Sequence, residues 1–138
     1  MSLTQVIIVD DHALLRRTLQ YLLKESPDIE VVGEAENGED AIDLASHLKP
    51  DLVLMDISMP GIGGIVATQR IVEMNGHTKV LILSMYADAS LARRVLRLGA
   101  RGYLLKADIS SELLPAIRRV QQGEMVISPE LKVLLDAH

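Results

Sequence analysis

Cysteine and tryptophan are absent from this sequence of 138 residues, and aromatic residues make up only 2% of it. The absence of cysteine excludes disulfide bonds and thiolate metal sites. No apolar stretch is long enough to span a bilayer. Residues 1–5 are polar, and the apolar run that follows them ends quickly at Asp10 and Asp11, which is unlike a signal peptide. We therefore expect a cytoplasmic protein with no membrane association.

The charge balance argues against direct binding to nucleic acid or anionic lipid. The net charge is −5 at pH 7, while 49% of the residues are hydrophobic and 24% are charged. These values are typical of one folded domain with a core, and a negative chain has no general attraction to polyanions. Arginines cluster locally, and their pattern favours a solvated helix face over a partner-docking face. These arginines are Arg93, Arg94, Arg97, Arg101, Arg118 and Arg119.

Short apolar runs alternate with amphipathic segments along the chain. The runs are rich in β-branched residues or leucine without polar alternation, which is typical of strands buried on both faces of a parallel sheet. The segments between them carry apolar residues at helical spacing. Five β-α units in succession predict a doubly wound α/β fold with a five-stranded parallel sheet. The predicted strands are Val6–Val9, Ile29–Val32, Leu52–Met55, Val80–Leu83 and Tyr103–Leu105.

Several residues predict where the helices begin and end. Asn37, Asp88 and Ser110 are suitable N-caps, because their short polar side chains can accept a hydrogen bond from the first turn. Gly99 and Gly123 are expected to end the helices before them, since glycine readily adopts the left-handed conformation of a C-terminal cap.

Polar residues follow four of the five predicted strands. Asp10 and Asp11 follow the first strand, Asp56 the third, Ser84 the fourth and Lys106 the fifth. Ligands of open parallel sheets bind beyond the carboxyl ends of the strands, so these side chains should meet at one edge. Carboxylates about 4 Å apart repel by on the order of 4 kcal/mol at an effective dielectric of about 20. Either their pKa values rise or a cation lies among them, and Mg²⁺ suits such oxygen ligands.

This set of residues is suited to phosphoryl transfer, where catalysis is mostly positioning and electrostatic stabilisation. A carboxylate can itself accept the group, and Asp56 is the candidate because it stands alone between the acidic pair and the lysine. Taken singly, an Asp after a strand is more often a helix cap, and His12 is interpreted as a surface or capping residue. None of the four histidines has a spacing that suggests a metal site. The occurrence of all these polar residues together, in the order of the strands, favours a phosphoryl-transfer site over these separate interpretations.

Four motifs resemble those of the response-regulator receiver family. They are Val-Asp-Asp-His at 9–12, Leu-Met-Asp-Ile-Ser-Met-Pro-Gly at 54–61, Leu-Ser-Met-Tyr at 83–86 and Gly-Tyr-Leu-Leu-Lys at 102–106. The resemblance covers residues 5–123. It implies a flavodoxin-like fold of five β-α units with strand order 2-1-3-4-5.

The resemblance also implies a role for each acidic position and for the lysine. Asp56 would be the phosphoacceptor. Asp10 and Asp11 would organise Mg²⁺ (or Mn²⁺), with Asp11 and Asp56 as direct ligands and Asp10 often acting through water. The backbone carbonyl of Ser58 would be the third protein ligand, and Lys106 would pair with the phosphoryl oxygens.

A second group of implied roles concerns the conformational switch. Ser84 would be the switch hydroxyl that moves onto the phosphoryl group, and Tyr103 the aromatic residue whose ring turns inward with it. Ser58 and Tyr86 would tune how fast water attacks the acyl phosphate. Many members carry a cis proline after the lysine, whereas Ala107 stands here. Because a cis bond before alanine costs about 2.5–4 kcal/mol, we expect either a trans bond with a reshaped loop or a strained cis bond.

The Asp-Asp-His segment and the run Gly-Glu-Met-Val-Ile-Ser-Pro-Glu at 123–130 resemble the NarL/FixJ (LuxR-type) branch of that family. Its members carry a C-terminal helix-turn-helix domain that binds DNA, and this chain ends before such a domain would fit. We expect residues 1–123 to form the receiver domain and residues 124–138 a short helix or the start of a linker. A sensor histidine kinase would phosphorylate the domain, which would then dimerise and control transcription.

Three other readings remain open. A phosphohydrolase with an aspartyl nucleophile commonly has a second acid two residues after it, and Ser58 at that place argues against this enzyme. A stand-alone signalling module would share all the chemistry but have no output domain. A degenerate receiver that only binds proteins is disfavoured, because every acidic and basic position is present.

Overall fold

The structure is a computed structural model that describes residues 3–137. Residues 1, 2 and 138, which fall within the predicted domain limits, lie outside this range. The strands are β1 (Thr4–Val9), β2 (Ile29–Ala35), β3 (Leu52–Asp56), β4 (Lys79–Ser84), β5 (Gly102–Leu105) and β6 (Val126–Ile127). The helices are α1 (Ala13–Leu23), α2 (Gly38–Leu48), α3 (Gly63–Met74), α4 (Ala89–Arg97), α5 (Ile109–Gln121) and α6 (Pro129–Asp136), with a 3₁₀ turn at Lys106–Asp108.

The strands form one parallel sheet in the order β2-β1-β3-β4-β5-β6. The predicted order of the first five strands is confirmed. The sheet continues into β6, which the sequence pattern did not predict because two residues are too few to show a strand period. This short strand pairs with β5 and lies at the edge of the sheet.

The hydrophobic core has two parts, one on each face of the sheet. Ile7 and Val9 belong to one part and Val6 and Ile8 to the other, since successive side chains of a strand point to opposite faces. All four side chains are buried, which explains why the segment Val6–Val9 of β1 is apolar without polar alternation.

The helix ends agree with most of the predicted caps. Asn37 accepts a hydrogen bond from the backbone N–H of Asp40 at 2.8 Å, and Asp88 accepts one from Leu91 at 3.0 Å. Gly99 and Gly123 have the expected positive φ angles. The prediction of Ser110 as an N-cap is wrong. The 3₁₀ turn after β5 leads directly into α5, so the helix begins at Ile109, two residues before the start that a Ser110 cap implies.

Residues 124–137 pack onto this fold. Val126 of β6 and Leu131 of α6 are buried in the core, and α6 packs against α4. A short helix is therefore present in this segment, while its use as a linker to a further domain stays a prediction. Across the described residues, no helix has both the length and the apolar character needed to cross a membrane.

Candidate functional site

The ends of four neighbouring strands bring the predicted residues to one edge of the sheet. Asp10 follows β1, Asp56 ends β3, Ser84 ends β4 and Lys106 follows β5. The parallel register aligns these ends, with Asp56 opposite Leu83 on β4. As the sequence predicted, the strand order therefore places these polar residues side by side.

Asp10, Asp11, His12 and Asp56 form a cluster in which one potential ligand atom of each lies within 4.8 Å of the others. Asp10 and Asp56 are buried, whereas Asp11 and His12 are exposed. The Oδ1 atom of Asp56 accepts a hydrogen bond from the backbone N–H of Ser58 at 3.2 Å. Its Oδ2 atom is buried and has no hydrogen-bond partner among the described residues.

Lys106 faces this cluster from the other side. Its Nζ atom lies 2.9 Å from Oδ2 of Asp10 and 3.3 Å from Oδ1 of Asp56, and its side chain is 9% exposed. Burial opposes the ammonium charge, but the hydrogen bond to Asp10 and the charge of Asp56 outweigh it and raise the pKa of Lys106. The lysine is therefore charged at neutral pH and held between two carboxylates.

In contrast to Lys106, the charged form of Asp56 is disfavoured by its surroundings. Burial and the neighbouring charge of Asp10 raise the pKa of the Asp56 carboxyl, although Lys106 and the Ser58 amide work against this shift. One ammonium group thus does not fully compensate the acids. An unpartnered buried carboxylate oxygen beside two further carboxylates is a donor set that fits a hard divalent cation such as Mg²⁺.

Two residues near the acids were not recognised from the sequence. His12 is a surface residue at the N-terminus of α1, as predicted, but its Nδ1 atom also lies 3.2 Å from Asp10 and 3.1 Å from Asp11. Arg16 donates a hydrogen bond of 2.7 Å to the backbone carbonyl of Asp10 and forms an ion pair with Glu34 on β2. Adjacency to the aspartates could have indicated His12, whereas no spacing signal indicates Arg16.

The predicted switch residues form a second group beside the acids. The Ser84 hydroxyl donates to the backbone carbonyl of Tyr86 at 3.2 Å and accepts from its N–H at 3.1 Å. The Tyr103 ring is buried, and its hydroxyl donates to the same carbonyl at 3.4 Å. Burial raises the pKa of Tyr103. Within the described residues, the Ser84 hydroxyl makes no hydrogen bond to Asp56 or Lys106.

The remaining predicted positions lie at the rim. Ser58 is exposed and follows Asp56 by two residues, and the ring of Tyr86 projects into solvent. Among the described residues no cis peptide bond occurs, so the bond between Lys106 and Ala107 is trans and the loop is reshaped into the 3₁₀ turn. This is the first of the two outcomes expected for the missing proline.

Gly64, near the start of α3, approaches the end of β3 closely. A Cβ atom at this position would collide with the backbone carbonyl oxygen of Asp56 and lie 2.9 Å from Cα of Ile57. Only glycine allows α3 to begin here, which makes Gly64 a determinant of the loop after Asp56.

Fold and site together define a doubly wound α/β domain with an acidic cluster at the carboxyl ends of its strands, and comparisons with known proteins give its family. The model of the response regulator receiver domain matches residues 6–118. The chain is 40% identical over 127 residues to the transcriptional regulatory protein DegU of Brevibacillus brevis, covering 92% of this chain and 54% of DegU. It is 39% identical over 132 residues to the nitrate/nitrite response regulator protein NarL of Escherichia coli K12, covering 96% of this chain and 61% of NarL.

A solved structure is similar over nearly the full length of both chains. It is a LuxR-family two-component response regulator from Aurantimonas sp. SI85-9A1, with a TM-score of 0.94 and 32% identity, covering 99% of this chain and 97% of that one. The chain belongs to the response regulator receiver domain family, and its relatives are LuxR-type regulators, as the motifs predicted. It spans less than two thirds of the length of DegU and NarL.

Proposed function

We propose that the protein accepts a phosphoryl group on Asp56 from the phosphohistidine of a sensor histidine kinase. The observation that carries this proposal is the buried Asp56 carboxylate, one oxygen of which has no hydrogen-bond partner in the described chain, beside the Lys106 ammonium. In the transfer, a carboxylate oxygen attacks phosphorus, the bond from phosphorus to the imidazole nitrogen breaks, and the imidazole leaves. Lys106 offsets charge on the phosphoryl oxygens.

The acidic cluster supports a divalent cation at this site. Asp11, Asp56 and the backbone carbonyl of Ser58 are the proposed ligands of Mg²⁺ or Mn²⁺, with Asp10 acting through water. When bound, the ion supplies positive charge that offsets the carboxylates and the transferring group. Ser58 and Tyr86 flank the acceptor and are proposed to control the access of water that hydrolyses the acyl phosphate.

The hydrogen bonds of Ser84 support a switch. Its hydroxyl is hydrogen-bonded to the Tyr86 backbone, and a phosphoryl group on Asp56 offers it stronger, charged acceptors. When Ser84 moves, it gives up its hydrogen bond to the Tyr86 carbonyl, which also accepts the hydrogen bond of the Tyr103 hydroxyl. Phosphorylation then shifts the population between two conformations by the difference in affinity of the phosphoryl group for them.

An apolar groove next to Lys106 supports the kinase as partner. It has a volume of about 460 Å³ and lies between α1 and the loop after β4. Leu14 is 76% exposed and Met85 is 68% exposed, which favours docking of an apolar helix face beside the acceptor. The lining residues are His12, Leu14, Leu15, Thr18, Met85 and Lys106.

The output is proposed to be transcription. DegU is named as a transcriptional regulator, and this chain covers only about half of it. Because the chain is acidic, DNA contact is assigned to a C-terminal domain outside these residues. Dimerisation on phosphorylation and a cytoplasmic location are part of the same proposal.

The test is incubation with acetyl phosphate and Mg²⁺, comparing the wild type with Asp56→Asn by intact-mass analysis. We expect one added phosphoryl group in the wild type and none in the variant. An added group on both proteins would contradict the assignment of Asp56, and repeated turnover of phosphate esters would indicate a phosphohydrolase instead.

A further inference from the structure

The segment after α5 is tied to β5 by backbone pairing. Strand β6 runs parallel to β5, with Val126 opposite Gly102 and Ile127 opposite Tyr103. The backbone N–H of Ser128 donates to the carbonyl of Tyr103 at 3.0 Å. A Cβ atom on Gly102 would lie 2.8 Å from the Val126 carbonyl oxygen, so this close approach depends on glycine.

Ser128 adds a side-chain bond to this pairing. The residue is 1% exposed, and its hydroxyl oxygen accepts a hydrogen bond of 2.8 Å from the backbone N–H of Leu105. It occupies the N-cap position of α6, where a serine usually accepts from the first turn of its own helix. Within the described residues its side chain makes no such cap. The hydroxyl is committed to β5 instead.

Through Leu105 and Tyr103, the hydrogen bonds of Ser128 connect it to both groups of residues in the candidate site, namely the acidic cluster with Lys106 and the predicted switch residues. Leu105 directly precedes Lys106, which contacts Asp10 and Asp56. Tyr103, whose carbonyl holds the Ser128 amide, also bonds through its hydroxyl to the backbone carbonyl that Ser84 uses. Ser128 is therefore hydrogen-bonded to the end of β5, which Lys106 follows, and to Tyr103.

Helix α6 is positioned to move with Ser128 and the end of β5. Its first residue comes directly after Ser128, its Leu131 side chain is buried in the same part of the core as Tyr103, and the helix packs against α4. A shift of the β5 end would thus be carried into α6 by two hydrogen bonds and by packing.

We infer that Ser128 is a positioning residue that couples helix α6 to the acceptor site. The phosphoryl part of this inference rests on the proposed function of Asp56. Because coupling is reciprocal, whatever restrains α6 also biases the site toward one of its conformations. Ser128 makes no direct contact with the reacting atoms and acts through Leu105 and Tyr103.

The first experiment measures amide hydrogen exchange in the unmodified chain of 138 residues, for the wild type, Ser128→Ala and Ser128→Thr. In Ser128→Ala we expect exchange at Leu105 and in residues 129–136 to become about tenfold faster, the factor typical of one lost hydrogen bond. Ser128→Thr keeps the hydroxyl and should restore most of the protection. Ser110→Ala removes an exposed hydroxyl and should change nothing, and unchanged exchange in residues 29–48 verifies the fold.

The second experiment repeats the measurement with beryllofluoride and Mg²⁺, while acetyl phosphate and intact mass report on Asp56 separately. In the wild type the exchange of residues 129–136 should change about fivefold or more, the lower end of the usual range of allosteric coupling. In Ser128→Ala this response should be lost although Asp56 is still phosphorylated.

The outcomes separate the two ideas. A wild type that gains the phosphoryl group while α6 does not respond overturns the coupling and leaves the acceptor role intact. An α6 response in Ser128→Ala equal to that of the wild type overturns it too. If Asp56 is not modified at all, the proposed function fails, and the first experiment still decides whether Ser128 links α6 to β5.

Discussion

Lys106 hydrogen-bonds to Asp10 at 2.9 Å, a residue 96 positions away in the chain, and lies farther from Asp56, at 3.3 Å. The lysine is thus shared between the two buried acids. A phosphoryl group on Asp56 would bring additional negative oxygens within reach of the same ammonium group, so the pairing with Asp10 is the contact that phosphorylation would have to weaken.

The buried charge of Asp56 should cost stability when no cation is present. Its pKa is raised by burial and by Asp10, so the ionised carboxylate is less stable in the folded than in the unfolded chain. In chelator at pH 7, Asp56→Asn should increase the free energy of unfolding by on the order of 1 kcal/mol. Urea titration followed by circular dichroism measures this, and Asp136→Asn, at an exposed residue, is the control.

The pH dependence of that difference has a defined sign. A carboxyl with a raised pKa stabilises the fold fully below its unfolded value near 3.8, and this contribution is lost as the pH rises through the folded pKa. The advantage of Asp56→Asn should therefore shrink as the pH falls from about 7 toward about 4. An advantage that grows in acid would contradict the assigned shift.

Removing the lysine should destabilise the chain, whereas neutralising Asp56 should stabilise it. Lys106→Met keeps much of the side-chain length but leaves two buried carboxylates without a counter-charge, and breaking such a pair costs about 3–5 kcal/mol. Mg²⁺ should restore part of the loss. Thermal unfolding with and without Mg²⁺ measures both effects, with Lys132→Met as the exposed control. Equal stability of the two variants in chelator would show that Lys106 does not hold the acids together.

Gly64 should be intolerant of a single methyl group. A Cβ there meets the Asp56 carbonyl oxygen, so Gly64→Ala must displace the start of α3 or the end of β3, at a cost of about 1–3 kcal/mol. We also expect slower phosphorylation by acetyl phosphate. Gly76→Ala is a matched control, because a Cβ at Gly76 meets nothing within 4 Å. The idea fails if both alanine variants behave alike in unfolding and phosphorylation.

The apolar groove should affect the rate of phosphoryl transfer from the kinase and not the rate of phosphorylation by a small phosphodonor. Leu14→Asp places a charge on the exposed apolar surface beside Lys106 and should lower the rate of transfer from a phosphorylated kinase core at least tenfold, the effect of about 1.4 kcal/mol. The rate with acetyl phosphate should be unchanged. Val133→Asp carries the same charge on α6, which is outside the groove. A similar loss with both phosphodonors would place the defect in the site itself.

Much of the fold was predictable because its signals are local. Each of the first five strands contains a short segment rich in apolar residues, and the polar site residues stand at the ends of such segments. In a parallel sheet these ends lie at the same edge, so chain position alone predicts that Asp10, Asp56 and Lys106 meet. The N-cap of α5 was not predictable in the same way, because the 3₁₀ turn after Lys106 depends on how β5 ends.

The sequence by itself determined the order of the elements and the chemical identity of the residues at the strand ends, since apolar periodicity and residue type are properties of short segments. Only the tertiary structure decided that β6 pairs with β5, that Ser128 bonds to Leu105 rather than capping its own helix, and that Arg16 holds the Asp10 carbonyl. The physical reason is that these contacts depend on how separate structural elements are placed in space, which no local sequence pattern encodes.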